Sequence, residues 1–250
     1  MNLRSTQVAL LAASFVLTGC GSGAVATADR SADNAAGAPA PSASAASSQP
    51  SAQSAPDQIP DLGPETLAEI PANSRQAVVV TGKARGSSTS EVVLYRRTAD
   101  GWQAGAAWPA HNAYKGWSDH HMVGDLQSPI GVFTLTDAGG LLKDPGSKLP
   151  YHQSGSFVAP GKGFEGEALA GSFDYVVAIN YNRKPGTSPL DWTRPLGAER
   201  GGGIWLHVDH GGPTHGCVSV SEAHMKQLLR TLDPALHPVV VMGDAASLAN

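Results

Sequence analysis

From about residue 75 onward the chain is built of short apolar runs, rich in β-branched and aromatic residues and separated by glycine-rich turns. Such runs predict β-strands, and the dipeptide Asp100-Gly101 between two of them is typical of a hairpin. We assign strands to residues 77–81, 91–95, 102–108, 131–136, 175–181, 203–209 and 238–242.

One segment instead has a helical pattern. Ser219 and Glu222 have the spacing of a capping box, and Asp233-Pro234 marks the end of the segment. Between them, apolar side chains recur at helical spacing at Met225, Leu228, Leu229 and Leu232. We therefore expect a mainly β domain, a sandwich or partly closed barrel, with one helix packed on it.

The first residues have the pattern of a signal peptide. Arg4 precedes an apolar run over residues 8–17, which ends at Leu17-Thr18-Gly19-Cys20, a match to a lipobox. The run is about half of the roughly 20 residues that a membrane-spanning helix needs. We predict a lipoprotein signal peptide over residues 1–19 and lipidation of Cys20, so that the protein is exported and anchored at the outer face of the cytoplasmic membrane, next to the cell wall. An ordinary secretory signal, cleaved near the same place, is the alternative.

Residues 21–56 consist almost entirely of Ala, Ser, Gly, Pro and Gln. Such a composition has too little apolar surface to form a core, which favours disorder. Residues 57–74 carry no pattern that we can assign. We predict a disordered tether over residues 20–74, dispensable for folding, and one folded domain over residues 75–250.

The charge balance excludes one class of partner. Removal of Arg4 with the signal peptide takes the formal net charge from −4 to −5, and no block rich in Lys and Arg occurs in the chain. We therefore expect no nucleic acid partner. We also expect the protein to be a monomer.

The chain contains only two cysteines, Cys20 and Cys217. If Cys20 carries a lipid, Cys217 has no partner for a disulfide in an oxidising compartment. An unpaired thiol in an exported protein indicates a reactive residue, and the alternative is a small buried apolar side chain. The residues around Cys217 decide between these two interpretations.

The segment before Cys217 has two distinct faces. Its apolar residues Ile204, Leu206 and Val208 alternate along the predicted strand with Trp205, His207 and Asp209. The loop Gly211-Gly212-Pro213 then turns the chain back, so that Cys217 can lie beside His207. A cysteine needs a base of this kind to become a good nucleophile.

Two further features favour catalysis at Cys217. The helix predicted directly after it would point its positive end at the sulfur, which favours the thiolate. Gly216 allows a tight turn, in which the N–H groups of His215, Gly216 and Cys217 can converge on an oxyanion. Base, nucleophile and oxyanion donors would then come from one short segment.

At these residues the chain resembles the L,D-transpeptidase (YkuD-like) family, whose signature is a histidine followed by Ser/Thr-His-Gly-Cys. Here His207 is followed by Thr214-His215-Gly216-Cys217. A second match lies over residues 124–133, where Ser128-Pro129-Ile130-Gly131-Val132-Phe133 is similar to the strand entry of that family. The resemblance covers roughly residues 75–242.

The resemblance implies an L,D-transpeptidase-like domain that acts on peptidoglycan stem peptides. Cys217 would attack the stem tetrapeptide before its terminal D-alanine, His207 would transfer the proton, and the side-chain amine of a neighbouring stem would resolve the acyl-enzyme to give a 3–3 cross-link. Neither a metal nor an organic cofactor is implied. Candidates for gripping the stem are Tyr181 and Asn182 at a strand end, Arg194 in a loop and Thr214 in the motif.

Two departures from the family pattern leave a second activity open. Ser219 stands where many members carry Arg or Asn two positions after the cysteine, and the interval from His207 to Cys217 is shorter than usual. A subgroup with a short interval hydrolyses envelope linkages. An L,D-carboxypeptidase or hydrolase with the same Cys-His site is therefore the alternative, as is a non-catalytic module that binds the cell wall.

A metal site is a further alternative, because imidazole and carboxylate are good zinc ligands. It would use His207, Asp209, His210 and His215, but no H-E-x-x-H helix accompanies them. The remaining histidines are expected to be surface or hydrogen-bonded structural residues: His111, His120, His121, His152, His224 and His237. His152 is the one of these that could line a substrate cleft.

Overall fold

The computed structural model describes residues 56–250. The predicted signal peptide, Cys20 and the predicted tether before residue 56 lie outside the described residues. The strands are β1 Gln76–Gly82, β2 Thr89–Thr98, β3 Gly101–His111, β4 Trp117–Ser118, β5 Ser128–Pro129, β6 Gly131–Gly140, β7 Tyr151–Gln153, β8 Val176–Ile179, β9 Trp205–Val208, β10 Val218–Val220 and β11 Val239–Asp244. The helices are α1 Pro64–Glu69, α2 Glu222–Thr231 and α3 Ala245–Leu248. Every strand predicted from the sequence is present.

The main sheet closes on itself. Its strands follow the order β11-β1-β2-β3-β10-β9-β8-β6-β7, and β11 also pairs with β6. This extra pairing joins all of them except the edge strand β7 into a closed barrel of eight strands. The mainly β prediction is confirmed, and of its two forms the barrel is the one present.

Alternation along the strands divides the barrel into an inner and an outer face. On β1, Val78 and Val80 face the interior, whereas Ala77 and Val79 join a separate apolar cluster outside. The buried stripe of α2, Met225, Leu228 and Leu229, joins the interior cluster. Strands such as β1 are buried on both faces, which explains their continuous apolar sequences.

Residues 56–74 are ordered, so the predicted tether of residues 20–74 extends too far. Ile59 is 1% exposed and packs in the outer cluster with Val79. The N–H of Gly63 donates to the carbonyl of Leu248 at 2.8 Å, and a Cβ at Gly63 would lie 2.1 Å from the carbonyl oxygen of Asn250. This segment therefore belongs to the folded domain, next to the C-terminal helix.

The predicted helix is present as α2, but it begins later than expected. Its N-cap is Ser221, whose hydroxyl accepts a hydrogen bond from the N–H of His224, and not Ser219, which lies in β10. Because β10 separates Cys217 from α2, the helix does not begin at the sulfur. Within residues 56–250, no helix is long and apolar enough to cross a membrane.

Candidate active site

Cys217 lies directly before β10, on the outer face of the barrel. β10 pairs in parallel with β9, with Val218 opposite Leu206, and both of these side chains are buried in the barrel interior. Cys217 comes directly before Val218, so it lies beside Trp205 and its side chain points outwards. The loop after β9 has thus returned the chain to the beginning of that strand, as the sequence predicts.

The sulfur of Cys217 contacts two backbone groups. The N–H of Trp205 donates to Sγ at 3.4 Å, and the thiol lies 3.6 Å from the carbonyl oxygen of Gly203. Cys217 also packs against an apolar cluster outside the barrel that includes Phe157 and Phe173. Burial raises the pKa of the thiol to about 11, although the Trp205 N–H opposes this. The resting form is therefore a neutral thiol.

His207 lies on the same outer face, two residues along β9 from Trp205. Its side chain is almost fully buried, with the edge of Phe173 at 5.5 Å and His210 stacked on it at 5.8 Å between ring centroids. Nδ1 lies 2.8 Å from the carbonyl oxygen of Val208 and donates to it, which leaves Nε2 free. Burial lowers the pKa of His207 to about 4, so the imidazole is neutral.

The turn before Cys217 is held by the hydroxyl of Thr214. This hydroxyl donates to the carbonyl of Cys217 at 2.7 Å and accepts from the N–H of Gly216 at 3.3 Å. Thr214 is 3% exposed, so the structure gives this predicted substrate residue a role in the turn. Gly216 packs closely there, because a Cβ would lie 2.9 Å from the Cδ1 of Ile204, which would then have to shift. One of the three predicted oxyanion donors, the Gly216 N–H, is thus already engaged.

A loop over residues 161–168 covers this turn. Phe164 stacks on Tyr114 at 4.6 Å and meets the ring of His215 at 4.6 Å between centroids. Glu167 accepts a hydrogen bond from Nδ1 of His210 at 3.1 Å. His215 is therefore part of an aromatic contact with this loop, which the sequence did not identify because the loop has no regular pattern.

Two predicted substrate residues are buried and shape a loop. The hydroxyl of Tyr181 lies 3.0 Å from the carbonyl oxygen of His121 and 2.9 Å from that of Arg200. The side-chain amide of Asn182 donates to the carbonyl of Gly197 at 2.8 Å. Tyr181 and Asn182 are 6% and 5% exposed, so they position the segment before β9 and leave little surface for a substrate.

The fourth candidate, Arg194, lies on that same segment and packs on Gly202 and Gly203. The guanidinium packs directly on the backbone of Gly202, since a Cβ at Gly202 would lie 2.4 Å from Nε of Arg194. Gly202 also has a φ of 141°, a backbone conformation that favours glycine. Gly203, the next residue, supplies the carbonyl that contacts Cys217. The side chain also stacks on Trp192, which is 81% exposed.

Sequence reasoning missed a polar network that includes Ser219, two residues after Cys217. Oδ1 of Asp209 accepts hydrogen bonds from Nδ1 of His111 at 2.8 Å and from the hydroxyl of Ser219 at 2.6 Å. His111 and Ser219 face each other across β3 and β10, a pairing that their distance in sequence conceals. Within residues 56–250, no three His, Cys, Asp or Glu side chains are grouped as metal ligands.

Comparisons with known proteins identify the family of the domain that carries this site. The YkuD family model, described as the L,D-transpeptidase catalytic domain, matches residues 75–241. Among solved structures, that of Bd1075 from Bdellovibrio bacteriovorus is similar over 75% of this chain, at 17% identity and a TM-score of 0.38. This chain spans 54% of the length of that chain. A search of curated proteins gave no significant match.

Proposed function

The chain belongs to the YkuD family of L,D-transpeptidase catalytic domains, and from that premise we propose that it is a peptidoglycan L,D-transpeptidase with Cys217 as its nucleophile. The observation that carries the proposal is that Cys217, directly before β10, and His207, on the adjacent strand β9, share one outer face of the barrel. Both residues lie within the segment that the family model matches.

In the proposed reaction, Nε2 of neutral His207 takes the proton of the Cys217 thiol as the sulfur attacks the stem tetrapeptide. The C–N bond before the terminal D-alanine breaks, and His207 returns the proton to the departing amine. The acyl group remains on Cys217 as a thioester. The side-chain amine of a neighbouring stem then forms the new C–N bond of a 3–3 cross-link and releases the sulfur.

Two parts of the site suit this chemistry. The N–H groups of His215 and Cys217 are the oxyanion donors that we assign, because the N–H of Gly216 is bonded to Thr214. Arg194 packs on the glycine segment that contacts the sulfur, and a guanidinium is a good partner for a stem carboxylate. We therefore assign the grip on the stem to Arg194, and not to the buried Tyr181 and Asn182.

Water in place of the amine would make the same site an L,D-carboxypeptidase. The observation that favours this second candidate is Ser219, which occupies the position where many family members carry a longer Arg or Asn. Its hydroxyl donates a hydrogen bond to Asp209. The two activities share every step up to the thioester. Only the products distinguish them.

The test is incubation of the protein with a defined disaccharide-tetrapeptide, with products and protein analysed by mass. We expect loss of D-alanine, a cross-linked dimer and a covalent acyl adduct. Cys217→Ala should lose all three and remain folded, and a carbapenem should add one-to-one to the wild type. A tripeptide product without dimer selects the carboxypeptidase, and bound but unreacted substrate selects the wall-binding module.

The other cysteine provides the matched control and tests the location that we propose. Cys20→Ala should keep turnover and the carbapenem adduct, because Cys20 lies outside the family match. In cells it should leave the membrane fraction, since we propose that Cys20 anchors an exported protein by a lipid. Membrane association that persists in Cys20→Ala contradicts the anchor and leaves the enzymatic proposal intact.

A further inference from the structure

His111 lies across β10 from the proposed base. Ser219 of β10 is paired with His207 on one side and with His111 of β3 on the other. Cys217 is two residues from Ser219 on the same outer face. The sheet pairing therefore places His207 and His111 on either side of Ser219, next to the segment that carries Cys217.

The hydrogen bonds of Asp209 fix the tautomer of His111. A carboxylate only accepts, so the proton at the shared contact is on Nδ1 of His111 and its Nε2 lone pair is free. The hydroxyl of Ser219 occupies the same oxygen and holds the carboxylate in place. Burial opposes ionisation of Asp209, but the hydrogen bonds from His111 and Ser219 outweigh it and lower its pKa to about 2. The bond to Asp209 in turn raises the pKa of His111.

The two histidines differ in access. His207 is 3% exposed beneath Phe173 and His210, whereas the His111 side chain is 29% exposed. His111 and Asp209 line a cavity of about 1160 Å³ together with residues of β1, β2 and β3. His207 and Cys217 are not among its lining residues, so a molecule held in this cavity contacts His111 and not His207.

The charges of this cavity suit an amine. Three carboxylates line it, those of Asp61, Glu91 and Asp209, against one ammonium group, that of Lys83. This excess of negative charge attracts a stem peptide that carries a protonated side-chain amine. It repels a carboxylate group of the substrate. The amine must then lose a proton before it can attack.

We propose that this cavity receives the amine of the acyl acceptor, and that His111, oriented by Asp209, is the base that takes its proton when the thioester is resolved. The inference rests on the proposed function. The ammonium group first releases one proton to solvent. The neutral amine then attacks the thioester carbon, so that the C–N bond forms and the C–S bond breaks. A second proton passes from the nitrogen to Nε2 of His111, the sulfur leaves as thiolate, and the proton on His111 later returns to the sulfur.

The test separates the two half-reactions on the full chain. Rapid mixing with the disaccharide-tetrapeptide gives the rate of D-alanine release, and intact mass gives the decay of the acyl-enzyme. His111→Gln keeps an N–H for Asp209 but has no basic nitrogen. We expect it to leave acylation within about twofold, to slow resolution roughly 10²-fold or more, and to accumulate acyl-enzyme.

His111→Ala distinguishes a base from a purely structural residue. Added imidazole can replace a missing base, so it should restore part of the rate at which this variant resolves the acyl-enzyme. His237→Asn is the matched control at an exposed histidine with a φ of 46°, which Asn tolerates, and it should match the wild type. Equal slowing of both half-reactions, or unchanged resolution in His111→Gln, overturns the inference. A wild type that forms no acyl-enzyme instead overturns the proposed function, and the inference with it.

Discussion

At the scale of single residues, the resting site is a neutral pair. Burial raises the pKa of Cys217 to about 11 and lowers that of His207 to about 4, so neither group carries charge near pH 7. The sequence predicts a thiolate favoured by a helix end, but β10 intervenes between Cys217 and α2. In the proposed reaction the sulfur therefore loses its proton during the attack, when the negative charge moves on to the substrate oxygen.

This neutral pair predicts a particular response of Cys217 to iodoacetamide. Only the thiolate reacts, so the alkylation rate should rise about tenfold per pH unit from pH 7 to 9, without a plateau. His207→Asn should leave this profile unchanged, since the imidazole does not stabilise a resting thiolate. The measurement is intact mass against time, in the Cys20→Ala background. A plateau below pH 7 would instead show a thiolate–imidazolium pair.

The sequence located some site residues and not others for a physical reason. The strand with Trp205, His207 and Asp209 on one face was predictable, because alternation is a local property. Tyr181 and Asn182 were predicted to bind the substrate, and the structure buries them against the backbone of His121, Gly197 and Arg200, contacts that no local pattern reveals. The role of Asp209 was hidden for the same reason, since its partner His111 lies on a distant strand.

At the scale of elements, the start of helix α2 could not be predicted from the local sequence pattern. Ser219 and Ser221 are both good caps, and the spacing of Ser219 to Glu222 favoured the first. In the structure Ser219 pairs with His207 and His111 in the sheet, so tertiary pairing overrides the local signal. The apolar stripe of α2 was predictable because its period is independent of where the helix begins.

A buried ion pair holds the loop that follows β8. Nη1 of Arg183 lies 2.9 Å from Oδ2 of Asp137 in β6, and the two side chains are 2% and 6% exposed. The same carboxylate oxygen accepts from the N–H of Gly186 at 2.9 Å. Nη2 of Arg183 donates to the carbonyl of Thr187 at 2.7 Å. The pair therefore ties residues 183–187 to the barrel.

We predict that Asp137→Asn lowers the free energy of unfolding by about 3–5 kcal/mol, because it leaves the Arg183 charge buried without its partner. Urea unfolding measures the change. The exposed pair of Arg85 and Asp119 is the matched control, and Asp119→Asn should leave the free energy of unfolding almost unchanged, because water screens this pair. Similar effects of the two substitutions would mean that the buried pair is solvated.

At the scale of the whole molecule, the barrel depends on contacts between distant parts of the chain. β11 pairs with β1 in parallel and with β6 in antiparallel orientation, and only the second pairing closes the sheet. Strand patterns indicate which residues face a core but not which strands pair, so the sequence left a sandwich and a partly closed barrel open. Residues 56–74 escaped prediction because their few apolar side chains are buried only against the finished barrel.

The last prediction concerns this N-terminal segment, which the sequence indicated to be dispensable. Two truncated proteins, beginning at residue 56 and at residue 75, should differ in stability. The shorter one loses the fully buried Ile59 and the backbone bonds to Leu248 and Asn250.

Burial of one such side chain contributes about 1.5–3 kcal/mol, so we expect the shorter protein to unfold at lower urea, by at least that free energy. Ile59→Ala in the longer protein should reproduce about 2–4 kcal/mol of the loss through the cavity it leaves. Loss of residues 60–62 also removes one wall of the cavity that His111 lines, so resolution of the acyl-enzyme should slow more than its formation. Equal stability of the two proteins would show that the barrel holds together without this segment, as the sequence alone suggested.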